Sequence, residues 1–91
     1  MANVLVPTPL RKFTFNNATI ALEGETVLQV FENLVSLYPD LKQYLLEGSD
    51  IKGFVKVYLG DEDIKYLKGP GTAVKETDVL SIIPAIAGGI R

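Results

Sequence analysis

Residues 26–39, TVLQVFENLVSLYP, decide the fold because they predict a long amphipathic helix. Thr26 and Gln29 fit a capping box, in which the threonine hydroxyl accepts from the third helical amide and the glutamine side chain reaches back to the cap. Pro39 ends the helix, since it cannot continue the hydrogen-bonding pattern. Apolar residues at helical spacing form one stripe, namely Val27, Leu28, Phe31, Leu34, Val35 and Tyr38, and Gln29, Glu32, Asn33 and Ser36 lie opposite. We therefore expect one buried face and one hydrated face.

A shorter second helix is predicted to follow. Asp40, with Gln43 three residues later, can cap its start, and Gly48 fits its end. The face that it would bury carries Leu41, Tyr44 and Leu45.

Strands are predicted on both sides of these helices, at residues 3–8, 17–23, 54–59, 64–66 and 79–83, with turn-forming residues between them. In the second segment one face carries Ala18, Ile20 and Leu22. In the third segment the residues expected to point inward are Val55, Val57 and Leu59, and those expected to point outward are Phe54, Lys56 and Tyr58. This order favours an α+β domain of β-grasp type, a mixed five-stranded sheet over one long helix with the short second helix beside it. The first and last strands would be parallel neighbours.

Composition excludes many enzyme classes. The chain has 91 residues, 47% of them hydrophobic, and contains no cysteine, histidine or tryptophan. This length suits one compact domain. A thiol nucleophile, a histidine general base and a Cys/His zinc site are all impossible, so the protein is predicted not to be an enzyme.

Charge and hydropathy argue against nucleic-acid and membrane partners. Nine basic and eleven acidic residues give a net charge of −2, and neither sign forms a long run. The N-terminus lacks the features of a signal peptide, and the apolar stretch 79–90 is too short and too interrupted to span a bilayer. The cytoplasm is the expected compartment.

Two motifs resemble ligand sites only superficially. Asp61-Glu62-Asp63 is interpreted as a hydrated hairpin turn, because consecutive carboxylates in a turn cannot all face one ion. Gly69-Pro70-Gly71 lacks the Lys-Ser/Thr pair of a phosphate-binding loop and is interpreted as an open loop. No metal and no cofactor is therefore predicted.

One exposed face of the predicted sheet stands out. Phe54, Lys56 and Tyr58 would share it with Ser81 and Ile83 of the last strand. Scattered apolar residues are ordinary on a protein surface, but a contiguous cluster favours a docking face for a partner protein.

The C-terminal residues form a separate unit. We expect residues 1–84 to be the folded domain and residues 85–91 a flexible tail, because Pro84 stops the last strand and Ala85-Ile86-Ala87-Gly88-Gly89 offers little to pack. Five extended residues reach about 16 Å, enough to thread a backbone into another protein's active site. A frayed terminus is the alternative, and on the glycine pair alone it is the more common explanation.

Residues 57–64, VYLGDEDI, and 78–89, DVLSIIPAIAGG, resemble the ubiquitin-like sulfur carriers (MoaD/ThiS-like). This family includes the small subunit of molybdopterin synthase and the carriers of thiamin and cysteine biosynthesis. The similarity extends over the whole domain in the order of its elements, and it favours a functional tail over a frayed one.

The resemblance implies a chemistry centred on Gly89. An E1-like adenylating enzyme would join the Gly89 carboxylate to AMP from ATP, and a sulfur donor would convert the adenylate to a thiocarboxylate. A sulfur-accepting biosynthetic enzyme would then receive the sulfur. Gly88 would provide clearance for the tail, and the partner-binding residues would be Phe54, Lys56, Tyr58, Ile83 and Ile86.

One feature departs from the mature carriers, because Ile90 and Arg91 follow Gly89. The resemblance implies removal of this extension by a zinc metalloprotease before activation, and a cloning remnant is the alternative explanation. Two other functions stay open, a ubiquitin-like modifier that forms isopeptide conjugates and a β-grasp interaction module that is never activated.

Overall fold

The computed structural model describes residues 1–48, 50–52 and 55–84. Its helices are α1 (Val27–Leu37) and α2 (Lys42–Leu45), and its strands are β1 (Ala2–Leu5), β2 (Thr19–Leu22), β3 (Leu46–Glu47), β4 (Asp50–Ile51), β5 (Val55–Leu59), β6 (Glu62–Asp63) and β7 (Val79–Pro84). Four 3-10 helices cover Thr8–Phe13, Pro39–Leu41, Ile64–Tyr66 and Gly69–Gly71.

Five strands form a mixed sheet in the order β2-β1-β7-β5-β6, and β3 and β4 form a separate two-stranded hairpin. β1 and β7 run parallel at the centre of the sheet, with Leu5 opposite Ser81, and the other paired strands are antiparallel. This architecture confirms the predicted β-grasp fold and its parallel pairing of the first and last strands.

Helix α1 begins as predicted. Thr26 is its N-cap, and its hydroxyl accepts a hydrogen bond from the Gln29 amide at 3.2 Å. The Gln29 side chain accepts from the Glu25 amide at 2.8 Å, one residue before the cap. The segment before the helix is held extended, because the Val27 amide donates to Thr72 O and Glu25 O accepts from the Val74 amide. The loop that contains Thr72 and Val74 is therefore hydrogen-bonded to the chain where α1 starts.

The core lies between α1 and the inner face of the sheet. Val27, Phe31 and Leu34 of the predicted stripe are buried, whereas Leu28, Val35 and Tyr38 are partly buried against the core. Val30 is buried too, although the predicted stripe omits it. The sheet contributes Ala2, Val4, Ile20, Leu22, Val55, Val57, Leu80 and Ile82, and the predicted second helix contributes Leu41 and Leu45.

Gly24 explains why Val30 can pack so closely. A Cβ atom at Gly24 would lie 2.7 Å from Val30 Cγ2, and the residue has a φ of +151°. Glycine accepts such a backbone conformation at little cost, so the chain can pass against α1 at this point.

The fourth predicted strand differs from the prediction. Residues 64–66 form a 3-10 helix, and the strand is Glu62–Asp63 instead. The Asp63 side chain accepts a hydrogen bond from the Lys65 amide at 2.9 Å and thereby caps the 3-10 helix. The motif Asp61-Glu62-Asp63 is thus only partly a turn, and Asp63 is buried at 9% exposure.

The start and end of the second helix also differ. Asp40 makes no capping bond, because Pro39 begins a 3-10 helix that continues directly into α2. Gly48, with a φ of +64°, lies between β3 and β4 and therefore does not end α2.

Several boundaries and faces are corrected as well. The first strand ends at Leu5, before a 3-10 helix at Thr8–Phe13, and Gly69–Gly71 is a 3-10 turn. Ala18 is exposed and Leu59 is half-buried. Among the residues that the structure describes, no helix is long and apolar enough to cross a membrane.

Candidate docking face and C-terminal segment

The outer face of the sheet brings together four of the residues predicted to dock a partner. Lys56 pairs with Ile83, and Tyr58 pairs with Ser81, across the antiparallel strands β5 and β7. Paired residues in a sheet point to the same side. The alternate residues Val55, Val57, Leu80 and Ile82 are buried, so Lys56, Tyr58, Ser81 and Ile83 face away from the core.

Leu5 extends this surface and was not predicted. It lies opposite Ser81 across the parallel pair β1 and β7, which places Leu5, Ser81 and Tyr58 in one row. Leu5 is 39% exposed and Ile83 is 46% exposed. The sequence did contain a signal for Leu5. Side chains alternate between the two faces along the first strand, and this strand was expected to pair with the last one. We define the outer sheet face as Leu5, Lys56, Tyr58, Ser81 and Ile83.

The chemistry of the outer sheet face is that of a contact surface. Leucine, isoleucine and tyrosine side chains are combined with the exposed cation of Lys56. Tyr58 lies opposite Asp63, whose carboxylate is already bonded to the Lys65 amide. The set thus combines apolar and aromatic side chains, one hydroxyl from Ser81 and one cation.

Two cavities lie away from the outer sheet face. A cavity of about 150 Å³ has mainly apolar lining from Ile51, Val55, Val57, Ile64 and Pro70. Another, of about 300 Å³, is bordered by Glu23, Glu25 and Glu76. Within residues 1–48, 50–52 and 55–84, no group of three or more acidic side chains is arranged to hold a metal ion.

The C-terminal segment continues from β7. Pro84, the last described residue, pairs with Val55, and β7 lies between β1 and β5. The remaining residues predicted to function, namely Phe54, Ile86, Gly88, Gly89, Ile90 and Arg91, lie outside the described residues. The structure therefore places Pro84, the residue that precedes Ala85, at the end of a central strand.

Comparison with known proteins identifies relatives over nearly the whole chain. A model of the ThiS family matches residues 4–89. Sulfur carrier protein CysO of Mycobacterium tuberculosis is 33% identical over 89 residues, covering 94% of this chain and 96% of that protein. Small archaeal modifier protein 3 of Haloferax volcanii is 33% identical over 67 residues, covering 74% of this chain and 73% of the relative.

Solved structures share the fold. A chain of the BexX/CysO complex of Amycolatopsis orientalis superimposes with a TM-score of 0.90 and 34% identity, covering 98% of this chain and 100% of that one. The small archaeal modifier protein 1 of Methanosarcina acetivorans gives a TM-score of 0.86 with 27% identity, covering 97% of this chain and 95% of that one. These similarities extend over nearly the whole chain.

Proposed function

Because the chain belongs to the ThiS family, we propose that it is a sulfur carrier whose Gly89 carboxylate is adenylated and then converted to a thiocarboxylate. The observation that carries this proposal is the extent of the family match, which reaches Gly89 and stops before Ile90. The relative CysO, a sulfur carrier by name, supports it over 94% of the chain. The protein acts as a co-substrate and is not itself an enzyme.

The proposed chemistry suits a chain without catalytic side chains. The Gly89 carboxylate attacks the α-phosphorus of ATP, pyrophosphate leaves, and an acyl-adenylate forms. Hydrosulfide, the sulfur donor at the sulfide oxidation level, then attacks the carbonyl carbon, AMP leaves with the bonding electrons of the acyl–oxygen bond, and loss of the sulfur-bound proton gives the thiocarboxylate. A carboxylate is a poor acylating agent until its oxygen becomes a good leaving group, so a separate E1-like adenylating enzyme must supply the nucleotide and the positive charge.

Activation requires a free carboxylate at Gly89. In the chain as encoded, the Gly89 carbonyl is joined to Ile90 in a peptide bond. We therefore propose that a zinc metalloprotease removes Ile90-Arg91 first. Intact mass spectrometry of the thiocarboxylated protein from its native cells tests this step, since a thiocarboxylated species that retains both residues would contradict it.

The outer sheet face is proposed to dock the partner enzymes. It lies on the two strands that fix the position of Pro84, so a partner that binds Lys56, Tyr58 and Ile83 also places the segment leading to Gly89. Phe54 and Ile86 are proposed to extend this contact. The Amycolatopsis relative in complex with BexX supports an arrangement in which a carrier docks on a second protein. The sulfur-accepting enzyme would use the same face, and the CysO relatives favour amino-acid synthesis as its pathway.

A three-variant experiment tests the proposed function. Chains that end at Gly88, at Gly89 and at Arg91 are incubated with the cognate adenylating enzyme, ATP and magnesium. Pyrophosphate release should require the chain that ends at Gly89. Adding a sulfur donor should then raise the mass of that chain alone by the difference between sulfur and oxygen. Equal activity of all three chains would contradict the proposal, and matching thermal unfolding curves would show that each domain is folded.

A second candidate function rests on the modifier relatives. Small archaeal modifier protein 3 matches 74% of the chain, and modifier protein 1 shares its fold. A modifier would transfer the Gly89 acyl group to lysine side chains of other proteins instead of accepting sulfur. Cells that express a tagged chain distinguish the two functions, because bands of higher mass that disappear when Gly89 is deleted would favour conjugation.

A further inference from the structure

Two aromatic pairs join the connection between β1 and β2 to the helical part of the fold, with Phe15 exposed and Phe13, Tyr38 and Tyr44 partly buried against the core. The rings of Phe13 and Tyr44 stack with centroids 5.1 Å apart, and those of Phe15 and Tyr38 meet edge to face at 6.0 Å. These four residues are half of the eight aromatic residues in the chain, which has four phenylalanines and four tyrosines. We name this set the aromatic end patch.

Phe15 is the most unusual member of the aromatic end patch. Its side chain is 84% exposed, so it contributes little to the core. Its φ is +54°, and that of Asn16 is +66°. A bulky residue in this left-handed region is uncommon and strained. Such conformations persist only where the surrounding structure imposes them, and they concentrate at functional sites.

Thr14 imposes this conformation. Its side chain is fully buried, and its hydroxyl lies 2.9 Å from Asn17 O and 3.2 Å from Arg11 O. The amides of Thr14 and Asn16 both donate to Arg11 O as well. The backbone of the turn is therefore held by several bonds at once, and it exposes the Phe15 ring to solvent.

The aromatic end patch lies at the end of the fold where β7 ends. Leu5, where β1 ends, pairs with Thr19, where β2 begins, and with Ser81 of the parallel strand β7. The connection between β1 and β2, which carries Phe13 and Phe15, is thus at the end toward which β7 runs. The contact between Phe15 and Tyr38 places the last turn of α1 there too.

We propose that the aromatic end patch is a second docking surface for the adenylating enzyme that receives the C-terminal segment. This inference rests on the proposed function. Five residues from Ala85 to Gly89 reach at most about 16 Å, so the enzyme must lie close to this end of the domain. The domain measures 32 × 27 × 25 Å. An interface of about 800 Å² per partner would cover most of one of its sides.

The composition of the aromatic end patch defines the surface that it fits. Lys12 Nζ lies 5.2 Å from the centroid of the Phe13 ring, so a cation borders the aromatic surface. Aromatic side chains are enriched among the residues that dominate binding energy. The matching region of the enzyme is therefore an apolar surface with an acidic side chain opposite Lys12.

Phe15→Asn tests this inference with little risk to folding. Asparagine tolerates a positive φ better than phenylalanine, so the variant should unfold at the same temperature as the unchanged chain or higher. Tyr66→Asn is the matched control, because Tyr66 is 85% exposed but lies in the 3-10 helix beyond β6. Both variants are made in the chain that ends at Gly89.

The readout is pyrophosphate release by the adenylating enzyme as a function of carrier concentration. Loss of an aromatic contact should raise KM about five- to tenfold in Phe15→Asn. The kcat of both variants and the KM of Tyr66→Asn should not change. An unchanged KM in Phe15→Asn, or an equal rise in both variants, would overturn the inference.

Two further results are informative. Self-association of the unchanged chain that is lost in Phe15→Asn, measured by light scattering, would assign the patch to a second copy and overturn the inference. A complete lack of adenylation in the unchanged chain would instead refute the proposed function. This outcome is distinguishable from an unchanged KM in Phe15→Asn, which would refute only the second docking surface.

Discussion

Replacing Ile82 and Ile83 one at a time with alanine should separate stability from binding, because the two side chains point to opposite faces of β7. Ile82 is 4% exposed and faces the core, whereas Ile83 is 46% exposed and belongs to the outer sheet face. The two changes remove the same atoms from adjacent positions of one strand. Differences in strand propensity are therefore nearly cancelled.

The magnitudes follow from burial. Removing a buried isoleucine side chain to the β-carbon costs about 2–5 kcal/mol, since it loses transfer free energy and leaves a cavity. At Ile83 only about half of the side chain is removed from water, so the loss is about 1 kcal/mol. For a domain of this size each kcal/mol lowers Tm by about 4–8 °C. With about 3 kcal/mol at Ile82, the expected fall is about 12–24 °C, against about 4–8 °C at Ile83.

Urea and thermal unfolding followed by far-ultraviolet circular dichroism measure both effects, and the absence of tryptophan makes this a better probe than fluorescence. Adenylation is then assayed at a temperature at which both variants are folded. Ile83→Ala should raise the KM for the carrier, and Ile82→Ala should leave it unchanged. Equal destabilisation by the two changes, or a larger loss at Ile83, would refute the register of β7 and with it the outer sheet face.

Three further changes probe how the domain holds this geometry. Gly24→Ala should lower Tm strongly, because the new Cβ would lie 2.7 Å from Val30 Cγ2. Gly71→Ala is the control in the same melting experiment and should be tolerated, since its new Cβ would have no atom within 4 Å. Thr26→Ala removes the N-cap of α1 and should cost about 1 kcal/mol in urea unfolding. Thr14→Val leaves the buried volume nearly unchanged but removes the hydroxyl that holds the turn, so it should cost about 1–3 kcal/mol and increase amide hydrogen exchange at residues 15–17.

The main elements of the fold could be predicted because each produces a periodic pattern. The stripe of α1 repeats over three turns, and alternation in β5 separates Val55 and Val57 from Lys56 and Tyr58. In β5 the structure places each of these four residues on the expected side. Periodicity of this kind reflects burial on one face, which is the property that determines packing.

Short elements could not be predicted, because they produce no repeating pattern and depend on individual contacts. A strand of two residues, such as Glu62–Asp63, has no period to detect. The 3-10 helix that follows it is set by the Asp63 side chain, and the α1 stripe extends to Val30 because Gly24 leaves space beside it. Gly48 fits the end of a helix and a hairpin turn equally well in sequence, since both require a positive φ.

The aromatic end patch shows the same limit for function. Phe13 and Phe15 are separated in sequence from their partners Tyr38 and Tyr44, and Tyr38 fits the buried stripe of α1. No local pattern joins the four residues. The turn that exposes Phe15 also depends on the buried hydroxyl of Thr14, which has no distinctive sequence signature.

The central position of β7 connects the fold to the proposed function. A strand at the edge of a sheet is paired on one side only, and its last residues can separate from the sheet at little cost. β7 is instead paired with β1 on one side as far as Ser81 and with β5 on the other side as far as Pro84, so β5 holds its last three residues. The starting point of the segment that leads to Gly89 is therefore fixed relative to the outer sheet face. Under the proposed function, an enzyme that binds this face would determine where Gly89 can reach, and a chain without catalytic side chains would thereby deliver one main-chain carboxylate to a defined position.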